Sequence, residues 1–178
     1  MKYGELTLGQ IEAIVNKLGG MDGMRRFLSG ALAVQSSNIY PVSVDYEMSV
    51  EELVRLGRYD WSNSDITSKH FPTQRAGKAE VAIELIHFDR EIGSDEALRE
   101  LDRMGYRPAE LHELLAFGAR YPDVQREFPV IVFGSMWRNP HGNRYVPYLL
   151  GDGSERKLYL IWFEDDWSGR CRFAAVRK

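Results

Sequence analysis

Cysteine occurs once in the 178 residues, at Cys171, so no disulfide can close within the chain and no cysteine cluster exists for zinc or an iron–sulfur centre. A reducing compartment, by default the cytoplasm, is therefore expected. Long apolar runs are also missing. No stretch approaches the roughly 20 residues of a membrane-spanning helix, and the opening MKYGELTLGQ lacks the apolar core of a secretory signal. Positive charge is not in excess either: lysine and arginine number 23 against 26 aspartates and glutamates, a net charge of −3. That balance excludes a strongly basic nucleic-acid scaffold. No internal repeat or low-complexity segment is present. Hydrophobic residues at 44% and charged residues at 28% are instead the composition of a globular chain, not of a disordered or fibrous one. The length suits one ordinary domain, or a small domain with a helical appendage.

Residues 1–34 read as a helical hairpin. Ile11, Ile14, Val15 and Leu18 recur at helical spacing, with Thr7 placed to cap and Gly19-Gly20 placed to stop. Met21, Met24, Phe27 and Leu28 repeat the spacing before Gly30, and Gln35-Ser36-Ser37-Asn38 is a polar linker or loop. Residues 39–178 read as a mixed domain. Val42, Val44 and Tyr46 alternate with polar residues through a first strand, and Ser49 with Glu52 forms the capping box of a short helix that ends at Gly57. Residues 58–78 are mainly loop, and Val81, Ile83 and Leu85 mark a second strand.

Two helices follow. Ser94 caps one with Ala97, Leu98, Leu101 and Met104 on its inner face, and Gly105 stops it. Pro108 stands where a first-turn proline belongs, ahead of Leu111, Leu114 and Leu115. From Val130 the period changes to two: VIVFGSMW, RYVPYLL, KLYLIWFE and CRFAAVRK are separated by the turn signals NPHGN, GDGSER and DDWSG. The expected class is α+β, a helical hairpin followed by a mixed domain that ends in a four-stranded antiparallel meander.

The stretch GYRPAELHELL from Gly105, a later tryptophan-containing strand and the closing RFAAVR resemble bacterial C-type-lectin-like domains, in which GWRLPT..EL precedes a terminal VR.VR strand. The likeness runs from Leu98 onward and implies a ligand-binding scaffold. The paired cysteines of classical C-type lectins are absent, as are Glu-Pro-Asn and Trp-Asn-Asp signatures, which tells against calcium-dependent sugar binding. The related formylglycine-generating enzymes use active-site cysteines, an arrangement that Cys171 alone does not reproduce. The whole chain is also similar to a group of uncharacterised bacterial proteins that share IVNKLGGMDGMRRFLSG, VDYEMSVEELVRLGRYDW and CRFAAVRK, a likeness that implies no activity.

Motifs for chemistry are sparse. His70, His87, His112 and His141 show no metal-ligand spacing, and the helical neighbours His112 and Glu113 are followed by Ala116 on that face. Glu164-Asp165-Asp166 reads as a solvated turn, and neither Ser64 nor Ser135 lies in G-x-S-x-G. No metal or other cofactor is expected. Charge and aromatics gather at the back: from residue 130 onward eight lysines and arginines face five acids, a local +3 that leaves −6 for the first 129 residues. Three of the four tryptophans lie there too. Trp137, Arg138, Asn139, His141, Arg144 and Trp167 therefore form the candidate binding set, aromatics and arginines in turns at one end of a sheet. Trp167, within a turn, is the tryptophan expected to be exposed, whereas Trp137 and Trp162 also fit a core. The expected function is a non-enzymatic binding or interaction module for a protein or small ligand, with no membrane or nucleic-acid partner. One alternative is an enzyme using His87, Asp89 or His70 as acid–base groups in a cleft beside the sheet. A second is DNA binding through Arg25 and Arg26 of the hairpin, although residues 1–30 carry only +1.

Overall fold

A computed structural model of the chain describes residues 7–17, 20–28 and 38–178. The chain divides into two compact units, residues 1–37 and 38–178. The first contains α1 (Leu8–Lys17) and α2 (Gly20–Leu28). Thr7 starts α1 as its sequence suggests: the hydroxyl accepts from the Gln10 N–H at 3.4 Å, and the Gln10 side chain returns to the Thr7 N–H at 2.8 Å. The expected contributions of Leu18 and Gly19, and the expected linker up to Ser37, lie outside the described residues.

Residues 38–178 form an α+β unit. Its elements run β1 (Ile39–Asp45), α3 (Val50–Gly57), β2 (Trp61–Ser62), β3 (Lys78–Ile86), β4 (Ile92–Gly93), α4 (Ser94–Arg103), β5 (Tyr106–Pro108) and α5 (Leu111–Arg120), then α6 (Val124–Glu127), β6 (Val130–Ile131), β7 (Trp137–Arg138), β8 (Arg144–Asp152), β9 (Glu155–Trp162), β10 (Asp166–Trp167) and β11 (Arg172–Arg177). One sheet has the order β1-β3-β11-β6-β8-β9-β2, with β5 beside β11 and β7 beside β8, while β4 and β10 pair separately.

Local signals explain the front of this unit. Val42 and Val44 are buried while Pro41 and Ser43 are exposed, the alternation of a half-covered strand. The Ser49–Glu52 capping box is present, at 3.2 and 3.0 Å, and α3 turns Val50 and Leu53 inward. The back differs from the expected meander. β8 and β9 form the hairpin around GDGSER, and β6 extends it antiparallel to β8. The fourth run does not continue beyond β9: β11 lies between β3 and β6, antiparallel to the first and parallel to the second. Its consecutive residues Phe173, Ala174 and Ala175 are all buried, the pattern of a central strand covered on both faces. Pro108 likewise closes β5 instead of opening a helix, and the Ser135 hydroxyl accepts the N–H of Leu111 at the start of α5 (2.8 Å). Ser94 is the first residue of α4 and its hydroxyl donates to the Phe163 carbonyl, so it supplies no cap to its own helix.

The sheet separates two cores. Ala174 faces one, with Val44, Leu53, Leu114, Phe117 and Leu158; Phe173 and Ala175 face the other, with Leu101, Phe133, Val146 and Phe163. On the first side a single arginine ties two helices to the sheet. Arg156 donates to the carbonyls of Gly57 (2.7 Å) and Gly118 (2.6 Å), in the last turns of α3 and α5, where helix dipoles favour a cation. Tyr59 lies against the guanidinium at 5.0 Å and uses the space two glycines leave: a Cβ at Gly118 would stand 2.2 Å from its hydroxyl, and one at Gly57 2.3 Å from its ring. No helix among the described residues is long and apolar enough to cross a membrane.

Candidate functional site

Five of the six candidate residues gather around the β7–β8 turn. Asn139 organises it, its side-chain oxygen accepting from the N–H groups of His141 and Asn143, both at 3.0 Å. Arg138 donates to the Gly142 carbonyl at 2.7 Å, and His141 is exposed at the tip. Arg144 pairs with Glu164 at 2.7 Å and lies over the Phe163 ring at 4.3 Å. Trp137 is half-buried.

Trp167 does not belong to this surface. It is 3% exposed, its indole N–H donates to the Ser94 hydroxyl at 2.7 Å, and its ring meets Phe133 and Phe173 edge-on. The turn signal in DDWSG is real, but pairing of β10 with β4 rotates the tryptophan into the second core. A buried indole that keeps a partner for its N–H is stable there.

The other tryptophans build what the turn residues alone did not. His70 stacks on Trp137, with centroids 4.5 Å apart and planes inclined 14°. Trp137 meets its cross-strand partner Tyr145 at 5.7 Å, and Tyr145 meets its own partner Trp162 at 6.5 Å. The result is an aromatic row across β7, β8 and β9, ending in a tryptophan that is 48% exposed. Beside its His70–Trp137 end lies a cavity of about 310 Å³ between residues 71–74 and residues 134–136, also lined by Glu110. His70 places Nδ1 2.9 Å from the Asp65 carbonyl. A carbonyl can only accept, so Nδ1 carries a proton and points toward the Asp65 backbone.

A charged network stands behind the cavity. Glu110 binds Arg75 at 2.6 Å and the Thr73 hydroxyl at 3.2 Å. Glu113, wholly buried, receives two bonds from Arg107 (2.6 and 3.0 Å), one from the Tyr46 hydroxyl (2.7 Å) and one from the Glu110 N–H (2.7 Å). Burial alone would raise the Glu113 carboxyl, but Arg107, the Glu110 amide and Tyr46 all bind its ionised form and hold it below the ordinary carboxylate value. The same contact acts oppositely on Tyr46, whose hydroxyl is pushed up by burial and by donating to Glu113. His112 donates from Nε2 to the Met48 carbonyl (3.3 Å), and burial lowers its pKa. Each of these charges is occupied in holding α5 to its neighbours. Sequence reasoning missed the network, although Glu113 three residues after Glu110 is the spacing at which a first-turn carboxylate reaches back to the N-cap amide.

The acid–base candidates are divided. His87 and Asp89 lie just beyond the end of β3 and come within 3.7 Å, where the chain turns with a positive φ at Asp89 (53°). His87 is bound to the Gly169 carbonyl at 2.6 Å, whereas His70 belongs to the aromatic row. The Ser135 hydroxyl is engaged by α5. Arg25 pairs with Asp22 at 3.6 Å, and the side chain of Arg26 lies outside the described residues. Among the described residues no three His, Cys, Asp or Glu side chains come together to hold a metal ion. Comparisons with protein-family models, with curated proteins and with solved structures find no match.

Proposed function

We propose that residues 38–178 are a non-enzymatic binding module on a C-type-lectin-like scaffold, and that the ligand meets the His70–Trp137–Tyr145–Trp162 row together with Arg138, Asn139, His141 and Arg144. The observation that carries this reading is the row itself. Four rings from three strands and a loop align beside a cavity and finish in a half-exposed tryptophan, and exposed aromatic area of this kind is where binding energy concentrates. The carboxylates near the cavity have structural partners, which favours binding over acid–base chemistry. The ligand, a protein segment or a small molecule, presents a planar or apolar group to Trp137 and a negative group to Arg138. Supporting the scaffold is the adjacency of the two stretches that carry the likeness: Pro108 pairs with Ala175, Arg107 with Val176 and Tyr106 with Arg177.

Ligand-observed NMR with a library of aromatic carboxylates, alongside pull-down on the immobilised chain, tests the reading. Compounds or proteins retained by the wild type are expected to bind at least tenfold more weakly to Trp137→Ala and to Arg138→Ala. Undiminished capture by the Trp137→Ala/Arg138→Ala double variant overturns it.

A further inference from the structure

The two outer edges of the large sheet are treated differently. At the β1 edge the outward positions are Ile39, Pro41, Ser43 and Asp45, as the bond from the Leu85 N–H to the Asn38 carbonyl sets the phase. Pro41 has no N–H to offer, and its carbonyl is taken by the Tyr121 hydroxyl at 2.8 Å. Such an edge is blunted against pairing.

At the other edge β2 covers only part of β9, pairing with Lys157 and Leu158. The bonds from Phe163 N–H to the Arg144 carbonyl, from Asp60 N–H to the Arg156 carbonyl and from Asn63 N–H to the Leu158 carbonyl set the phase here. Odd-numbered residues of β9 bond to β8, and even-numbered residues point outward. The N–H and carbonyl of Leu160 and the N–H of Trp162 therefore face outward, with no hydrogen-bond partner among the described residues. The segment reads Tyr159-Leu160-Ile161-Trp162, without a charge, a proline or a glycine.

We infer that this free half of β9 pairs with the same segment of a second copy of the chain, antiparallel about a two-fold axis at Ile161. Leu160 then stands opposite Trp162 of the other copy, and each such pair exchanges two N–H···O bonds, four in all. The Trp162 carbonyl, which accepts from the Asp165 N–H at 3.3 Å, has a second lone pair for this purpose. A second copy is the occupant that fits because the segment is uncharged. Two-fold pairing places each residue against its own kind or a near neighbour, so it meets no like-charge repulsion, and an isologous two-fold contact closes on itself. Side chains agree with the backbone, since Trp162 of one copy covers Leu160 of the other on one face and the isoleucines meet on the other. The pairing also brings the two aromatic rows together end to end. Trp162 belongs to both the row and the pairing, but the pairing is argued from the free backbone of β9 and read out by oligomeric state, so it and the binding reading can fail separately.

Sedimentation equilibrium of the full chain from 1 to 200 µM, with amide hydrogen exchange, tests the inference. The wild type is expected to pass from monomer to dimer across that range, with protection at the Leu160 and Trp162 amides rising with concentration. Leu160→Pro removes an outward N–H without touching the β8 ladder, and Trp162→Lys places a charge on the axis-side pair at an exposed position. Each is expected to weaken dimerisation at least tenfold while the circular dichroism spectrum stays native. Should Leu160→Pro fail to fold, Trp162→Lys and the exchange data decide. A monomer at every concentration, a dimer that survives both folded variants, or unprotected amides at 160 and 162 in the dimer overturns the inference.

Discussion

Arg107 and Arg144 make the same contact in opposite surroundings. Each holds a glutamate at 2.6–2.7 Å. Glu113 is wholly buried and has three further bonds to its name from Arg107, Tyr46 and an amide, while the Arg144–Glu164 pair is 31% and 53% exposed. The inner network is a structural fastening of α5, and the outer pair is a solvated accessory of the aromatic row. Distance alone does not separate them. Solvent at the carboxylate does, because water competes for the half-exposed Glu164 and cannot reach Glu113.

Breaking the inner pair is expected to have the largest effect. Arg107→Ala strands a buried carboxylate and should lower unfolding free energy by about 3–5 kcal/mol in urea titrations, whereas Arg144→Ala should leave the midpoint unchanged. Equal losses would erase the distinction between the two regions. Next comes crowding on the same side of the sheet: Gly118→Ala drives a methyl group against Tyr59 and Leu149 and should cost about 1–3 kcal/mol by the same assay.

Acid sharpens the comparison. The Glu113 carboxyl titrates below its ordinary value of 4.5 in the folded chain, so the stability it contributes is present in full above pH 4.5 and is lost as the pH falls below it. His112, lowered from 6.5 by burial, likewise contributes above pH 6.5 and loses that contribution on acidification. Urea midpoints measured from pH 7 to pH 3 should fall more steeply for the wild type than for Glu113→Gln, with Glu164→Gln following the wild type. Among the variants expected to weaken the fold, the smallest loss is at the aromatic row. Trp137→Ala loses the His70 stack, worth about 1 kcal/mol, so a folded variant with weakened ligand capture is expected.

Much of the framework is legible along the chain. The Ser49–Glu52 box, the alternation of Val42 and Val44 and the GDGSER turn are local, and each is formed by residues within a few positions of one another. The candidate surface was half legible. Arg138, Asn139, His141 and Arg144 come together because one short turn carries them, and Trp137 borders it. His70 joins them from a loop whose sequence has no periodicity, and nothing near Trp137 announces that partner. Trp167 misled for the complementary reason: polar neighbours report a turn, while the β4–β10 pairing decides which way the side chain faces.

The sequence by itself determined that this chain has a globular α+β composition, where its longer strands and the helices α3 and α4 lie, and that aromatics and arginines concentrate toward its end. Tertiary structure alone decided that β11 enters the middle of the sheet, that Glu113 meets Arg107 and Tyr46, and that Trp162 stays open while Trp167 is enclosed. The physical reason is range. Caps, turns and periodicity act over three to five residues, but strand order and burial depend on which distant apolar faces exclude water together.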